Sequence, residues 1–327
     1  MITNVQNIAV LTSGGDSPGM NACIRAIIRA GIYHEIKMFG VYDGFNGLID
    51  DNIIEMDYHS VSNIISRGGT VLGTERSERF YDKSFRKIAF NNLLKRNIDT
   101  VIIIGGDGSF KGIKALHDDF AINFIGIPGT IDNDIQGSNY ALGFDTALNN
   151  IIDSIDKIRD TAASHHRIFL VEVMGNTSGV LALNSAIASG AEDVFIPERK
   201  EDLMIFETKI RKALIAKKSS IIIISEGDQM GGAKELYNFL KEKELHQKVR
   251  VAILGHLQRG GNPSFKDRMM ATQFGAKAVE MIINKDVNKL IGTSKGEIYS
   301  YELTKNTTKR IPKNFNSLKL IKKLSVY

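Results

Sequence analysis

Val101-Ile102-Ile103-Ile104-Gly105-Gly106-Asp107-Gly108-Ser109 is the stretch on which the fold turns. Four successive β-branched residues leave no polar face for water, the pattern of a strand buried on both sides in a parallel sheet. Three glycines and a carboxylate then replace them abruptly. In a parallel α/β sheet, ligands bind outside the carboxyl ends of the strands. Bare glycine backbone at that place can approach phosphate oxygens, and a metal on those phosphates needs a carboxylate, here Asp107. Taken alone, the same four residues also suit a plain turn.

Two further segments repeat the layout. Asn7 to Leu11 is an apolar strand that runs into Thr12-Ser13-Gly14-Gly15-Asp16, after which Pro18 suits the first turn of a helix. The helix that follows places Arg25 and Arg29 on one face, and its N-terminus offers free N–H donors to an anion. Asn123 to Ile127 is a short buried strand broken by Pro128-Gly129, and Thr130-Ile131-Asp132-Asn133-Asp134 follows. Carboxylates two residues apart can divide the work: one accepts a proton while the other hydrogen-bonds substrate.

The chain has 327 residues, 43% hydrophobic and 24% charged, enough for about two globular domains with sizeable cores. The net charge of +5 is mild, and much of it lies late, in Lys305, Lys309, Arg310, Lys313, Lys319, Lys322 and Lys323. A nucleic-acid patch is one reading of that tail. The helical spacing of Leu318, Ile321 and Leu324 favours the solvated face of a terminal helix, so no nucleic-acid partner is expected. Cys23 is the single cysteine, which excludes an intrachain disulfide and fits a reducing cytoplasm. No signal peptide or membrane span is expected, and His165 and His166 do not have metal-ligand spacing. Strands are expected at 7–12, 36–41, 100–104, 122–127, 167–173, 220–225 and 250–254, with helices between them, for example 19–31, 84–97 and 146–163. That alternation predicts α/β architecture with parallel sheets and right-handed crossovers. Ile221 to Gly227 repeats the strand-then-glycine layout and suggests a second, similarly built domain.

Six motifs in this order resemble the bacterial-type 6-phosphofructokinase family. They are Leu-Thr-Ser-Gly-Gly-Asp at 11–16, Arg-Gly-Gly-Thr at 67–70, Gly-Gly-Asp-Gly-Ser at 105–109, Pro-Gly-Thr-Ile-Asp-Asn-Asp at 128–134, Val-Glu-Val-Met-Gly at 171–175 and Gly-His-Leu-Gln-Arg-Gly-Gly at 255–261. The resemblance runs from Ile8 to about Gly261 and weakens over the tail. It implies two similar three-layer α/β domains, mostly parallel and discontinuous in sequence. Residues 1–140 with 258–305 would bind ATP, and 141–257 with 306–327 would bind fructose 6-phosphate.

The resemblance also implies roles. Gly15, Arg76, Ser77, Asp107, Gly108 and Ser109 would hold the nucleotide, with Asp107 on Mg2+. Asp132 would take the proton from the sugar C1 hydroxyl, aided by Thr130, Asp134, Gly15 and Arg76. Arg167, Arg250, His256 and Arg259 would bind the 6-phosphate, and Met174 and Glu226 the sugar. Arg167 and Arg250 would reach a neighbouring subunit's site, making the protein a homotetramer. Arg25, Arg29, Arg159, Glu192 and Lys217 would form an effector site.

Three departures stand out. Asn176 replaces the arginine that follows the Val-Glu-Val-Met-Gly run, and Tyr58 and Asn63 stand where an arginine and an aspartate belong in the effector site. Lower transition-state stabilisation and a weaker effector site are expected. Two rival readings are a pyrophosphate-dependent enzyme on the same fold and a non-catalytic sensor. Pyrophosphate users carry Asp and Lys where this chain has Gly108 and Gly129, and a sensor would have lost Asp107 or Asp132.

Overall fold

In a computed structural model, residues 7–303 and 316–325 are described. They begin with β1 (Asn7–Ser13), α1 (Met20–Tyr33), β2 (Lys37–Val41), α2 (Gly44–Ile49), β3 (Ile53–Met56), α3 (Lys83–Leu94), β4 (Thr100–Gly105), α4 (Asp107–Phe120) and β5 (Asn123–Pro128). The middle of the chain forms α5 (Phe144–His165), β6 (Ile168–Val173), α6 (Val180–Ser189), β7 (Asp193–Phe195), α7 (Leu203–Ile215), β8 (Ser220–Ser225), α8 (Ala233–Glu242) and β9 (Val249–Ile253). It ends with α9 (Phe265–Ile283), β10 (Lys289–Ser294), β11 (Glu297–Glu302) and α10 (Asn316–Leu324). The fold is α/β, with two mainly parallel sheets.

The described residues divide into two compact units. One runs to Thr146 and resumes at Arg259; the other runs from Ala147 to Gln258 and takes up α10. The first holds a seven-stranded sheet in the order β11-β10-β5-β4-β1-β2-β3. Alternation along its central strands splits the core into two layers. Ile8, Val10, Ile102 and Ile104 face α1 and α9, while Ala9, Leu11, Val101 and Ile103 face α2, α3 and α4. Cys23 lies fully buried in the first of these layers, where burial pushes its thiol pKa up. The second unit holds a four-stranded sheet in the order β7-β8-β6-β9. Ile168, Leu170, Ile222 and Ile224 pack there against Phe206 and Ile210 of α7 and Leu236 and Leu240 of α8.

Four strands lie outside those expected from the apolar runs: β3, β7, β10 and β11. β3 is an antiparallel edge strand whose central residues, Ile54 and Glu55, are exposed. β10 and β11 form a hairpin closed by Lys295 and Gly296, both at positive φ, as a two-residue turn requires. α10 buries Leu318 and Ile321 and turns Lys319, Lys322 and Lys323 to solvent, while Leu324 is exposed. Lys305, Lys309, Arg310 and Lys313 lie outside the described residues. Among the described residues, no helix is long and apolar enough to cross a membrane.

Candidate active site

The registers of β1, β4 and β5 place the three glycine-carboxylate turns together. Ser13 pairs with Gly105 and Gly105 with Pro128, so the three strands end level at one edge of the sheet. The Ser109 hydroxyl donates to Ser13 O (3.0 Å) and the Gly129 N–H to Gly105 O (2.9 Å), tying the turns to one another. A Cβ on Gly108 would meet no atom within 4 Å, and that residue lies in the first turn of α4. Neither backbone conformation nor packing requires a glycine there; what it leaves is room above a helix N-terminus. Gly129 is different: a Cβ would lie 2.9 Å from Ile104 and 3.2 Å from Met20.

The carboxylates sit in contrasting surroundings. Asp107 accepts from the Lys111 ammonium through Oδ2 (2.5 Å), while its buried Oδ1 has no hydrogen-bond partner among the described residues. Asp134 is only 8% exposed. Burial pushes its pKa up, and the charge of Asp107 adds to the effect. Asp132 is half-buried, and its N–H donates to the Thr130 hydroxyl (3.3 Å). The turn is pinned from outside: Leu142 N–H donates to Pro128 O (2.9 Å), and Asn133, at positive φ, donates to Asn139 O (3.2 Å). No cluster of three or more His, Cys, Asp or Glu suited to a metal occurs among the described residues. One carboxylate oxygen without a partner, beside an open helix N-terminus, would suit a Mg2+ that took its remaining ligands from phosphates and water.

The segment from Arg67 to Ser77 closes over the end of β1. The Thr12 hydroxyl bonds Thr70 Oγ1 (2.9 Å) and donates to Gly73 O (2.7 Å), and Thr74 donates to Gly14 O (2.8 Å). Buried Asn21 donates to Arg67 O and Gly68 O and accepts from Val71 N–H (2.7 Å). Thr12 and Asn21, both buried, join the expected residues here, and their partners lie 46 to 61 positions away in the sequence. Arg76 is exposed. The Ser77 hydroxyl is committed to Asn46 Oδ1 (2.5 Å), within the fold itself. Arg259 donates to Asp16 O (2.8 Å), and its guanidinium occupies the space a Cβ on Gly15 would need. It therefore sits with the first glycine turn.

In the second unit the expected sugar-phosphate residues fall into two groups. Met174 and Glu226 follow the level ends of β6 and β8, where Val173 pairs with Ser225. His256 follows β9 at the same edge, in the 3-10 turn Gly255–Arg259. Glu226 accepts from Asn176 N–H (3.0 Å), and Asn176 holds positive φ. Arg167 and Arg250 lie at the other edge: Arg167 precedes Ile168, and Arg250 pairs with Phe169. A strand rises about 3.3 Å per residue, so the length of β6 puts about 20 Å between the two groups. Glu172, inside the Val-Glu-Val-Met-Gly motif, accepts from Ala233 N–H (2.8 Å) at the start of α8 and so serves the scaffold.

Of the expected effector residues, Arg25 and Arg29 share one face of α1. Burial lowers the Arg25 pKa and the Arg29 charge lowers it further. Arg29 stacks on the Tyr58 ring (5.5 Å to the centroid). Arg159 donates to Ser189 O (2.9 Å) and Gly190 O (3.1 Å), closing the end of α6, and pairs with Glu192 at 3.5 Å. Glu192 itself accepts from Ile221 N–H (2.6 Å), while Lys217 is exposed.

A family model described as Phosphofructokinase matches residues 7–282. The chain belongs to the phosphofructokinase family. An ATP-dependent 6-phosphofructokinase of Sulfurihydrogenibium sp. is 46% identical over 321 residues, covering 97% of this chain and 96% of the relative. Among solved structures, the phosphofructokinase of Saccharomyces cerevisiae superposes with a TM-score of 0.83 at 34% identity, over 97% of this chain and 46% of the yeast chain. A pyrophosphate-dependent phosphofructokinase of Marinobacter aquaeolei gives a TM-score of 0.85 at 21% identity and covers 99% of this chain. At that identity it shares the fold alone and carries no argument about the phosphoryl donor of this chain.

Proposed function

We propose that the protein transfers the γ-phosphoryl group of ATP to the C1 hydroxyl of fructose 6-phosphate, giving fructose 1,6-bisphosphate and ADP, the phosphofructokinase step of glycolysis. The observation that carries the reading is the level ending of β1, β4 and β5, which sets Gly15, Asp107, Gly108, Thr130 and Asp132 along one sheet edge. Phosphoryl transfer asks for positioning and charge stabilisation, with one group to take the acceptor's proton. Asp132 is assigned that proton, and Thr130 holds its turn. Asp134 and Thr130 would orient the acceptor and the water around a bound metal. The first turn of α4 and the backbone at Gly15 receive donor phosphates, with Arg76, Ser77 and Ser109 beside them. Asp107 would hold Mg2+, which when bound neutralises charge on the phosphoryl oxygens. Met174, Glu226, His256 and Arg259 are assigned to the acceptor.

The open space at Gly108 supports a nucleotide donor, because an aspartate there would fill room the α-phosphate needs. A lysine at 129 would have to displace Ile104 and Met20, which weighs further against pyrophosphate. The distance between Arg250 and Glu226 along β6 supports Arg167 and Arg250 serving a neighbouring copy, as a homotetramer with shared sites would require. A cytoplasmic location goes with this reading. The purified protein should release ADP from Mg-ATP only when fructose 6-phosphate is present. Equal release without the sugar, or turnover with pyrophosphate in place of ATP, would overturn the proposal.

A further inference from the structure

Gln258 is completely buried, at 0% exposure, inside the Gly-His-Leu-Gln-Arg-Gly-Gly motif. A long polar side chain takes such a position only when its amide is satisfied. Its Oε1 accepts from Met174 N–H (3.1 Å) and its Nε2 donates to Gly255 O (2.9 Å). A backbone N–H can only donate and a carbonyl only accept, so the amide's orientation is fixed. The Gln258 carbonyl accepts in turn from Asn150 Nδ2 (3.3 Å) on α5. The location of these bonds gives them meaning. The β6–β9 pairing runs out at Glu172 and Ile253, and Leu254 N–H to Glu172 O (3.1 Å) is its last rung. Past that rung the Gln258 side chain bonds both Met174 N–H, one residue beyond β6, and Gly255 O, two residues beyond β9.

We infer that Gln258 is a positioning residue for the acceptor sugar. It sets the spacing between the end of β6, which carries Met174, and the turn that carries His256. The inference rests on the proposed function. Gln258 is fully buried and both ends of its amide are taken up by Met174 N–H and Gly255 O, so its loss should misplace the sugar contacts and spare ATP binding.

Gln258→Met keeps length and approximate shape but removes both bonds. It should raise KM for fructose 6-phosphate about tenfold, the worth of one to two net hydrogen bonds, while kcat and KM for ATP move less than about twofold. Gln258→Glu, as the carboxylate, retains the acceptor for Met174 but sets a second, charged oxygen against Gly255 O in a fully buried place, so its KM for the sugar should rise at least as far as that of the methionine variant. Calorimetric binding of fructose 6-phosphate should follow the same order. Unchanged sugar KM in a folded methionine variant would overturn the inference, as would kcat and both KM values worsening together. If the methionine variant does not fold, the glutamate variant decides: sugar KM equal to wild type overturns the inference, and a raised sugar KM with an unmoved ATP KM supports it. Wild-type protein inactive on fructose 6-phosphate would sink the proposed function; an active wild type with these variants indistinguishable from it would sink the inference alone.

Discussion

Asp132 and Asp134 stand two residues apart on one turn, yet their surroundings differ. Asp132 is half-buried and follows Thr130, whereas Asp134 is buried and feels Asp107. Asp132→Asn should leave the fold and substrate binding intact and lower kcat by about 10² to 10⁴, the usual cost of losing a general base. Near-normal kcat in that variant would remove Asp132 from the role. Asp134 makes a stability prediction. Its folded-state pKa is raised above the ordinary 3.8, so the folded protein holds that proton more tightly than the unfolded chain does. Ionisation therefore costs stability, nothing below the ordinary value and the full amount above the raised one. Asp134→Asn, without metal, should have a higher melting temperature than wild type at pH 8. The gap should close as the pH is lowered through the raised value. A gap that is constant with pH, or of opposite sign, would contradict the assignment. The glycine-carboxylate turns were legible because each interrupts an apolar run. Asn21 and Gln258 were not, because their partners, at 67–71 and at 174, lie far off in sequence. Buried Asp267 was hidden in the same way: it accepts from Tyr140, Gly143 and Thr146.

At the scale of the elements, α4 and the end of β5 separate the two possible donors. Gly108→Asp should change the melting temperature by no more than about 2 °C, since the new side chain meets open space at a helical position. It should sharply weaken ATP binding and leave fructose 6-phosphate binding alone; undiminished ATP affinity would mean the nucleotide lies elsewhere. Gly129→Lys should destabilise the protein by about 1–3 kcal/mol in denaturant unfolding, because Ile104 and Met20 must give way. The strands legible in the sequence were those with continuous apolar runs, β4 and β8 above all. β7 has only three residues, too few to show a period. The β10–β11 hairpin turns on Lys295-Gly296, which lacks the Asn or Asp that would have announced it.

For the whole molecule, the apolar alternation fixed α/β layering in advance, but the seven- and four-stranded sheets and their edge strands needed the structure. The separation of Arg167 and Arg250 from Met174 and Glu226 bears on assembly. Arg250→Ala and Asp132→Asn chains, each nearly inactive, should partly recover activity when mixed under conditions of proven subunit exchange. No recovery would argue for self-contained sites. Regulation by a polyanionic effector should be weak: Tyr58 stacks on Arg29 where the resemblance implies an arginine, and Arg159 is already engaged at the end of α6. A large shift in fructose 6-phosphate half-saturation with millimolar effector, abolished by Arg159→Ala, would contradict that. The central claim is the transfer itself, and phosphorus NMR of the purified protein with Mg-ATP and fructose 6-phosphate tests it most directly. The account predicts that the γ-phosphate resonance of ATP decays as ADP and a second sugar phosphomonoester, on C1, grow in equal amount, at least about 100-fold more slowly with Asp132→Asn. Free inorganic phosphate in place of the C1 monoester, or an unchanged rate in the variant, would contradict it.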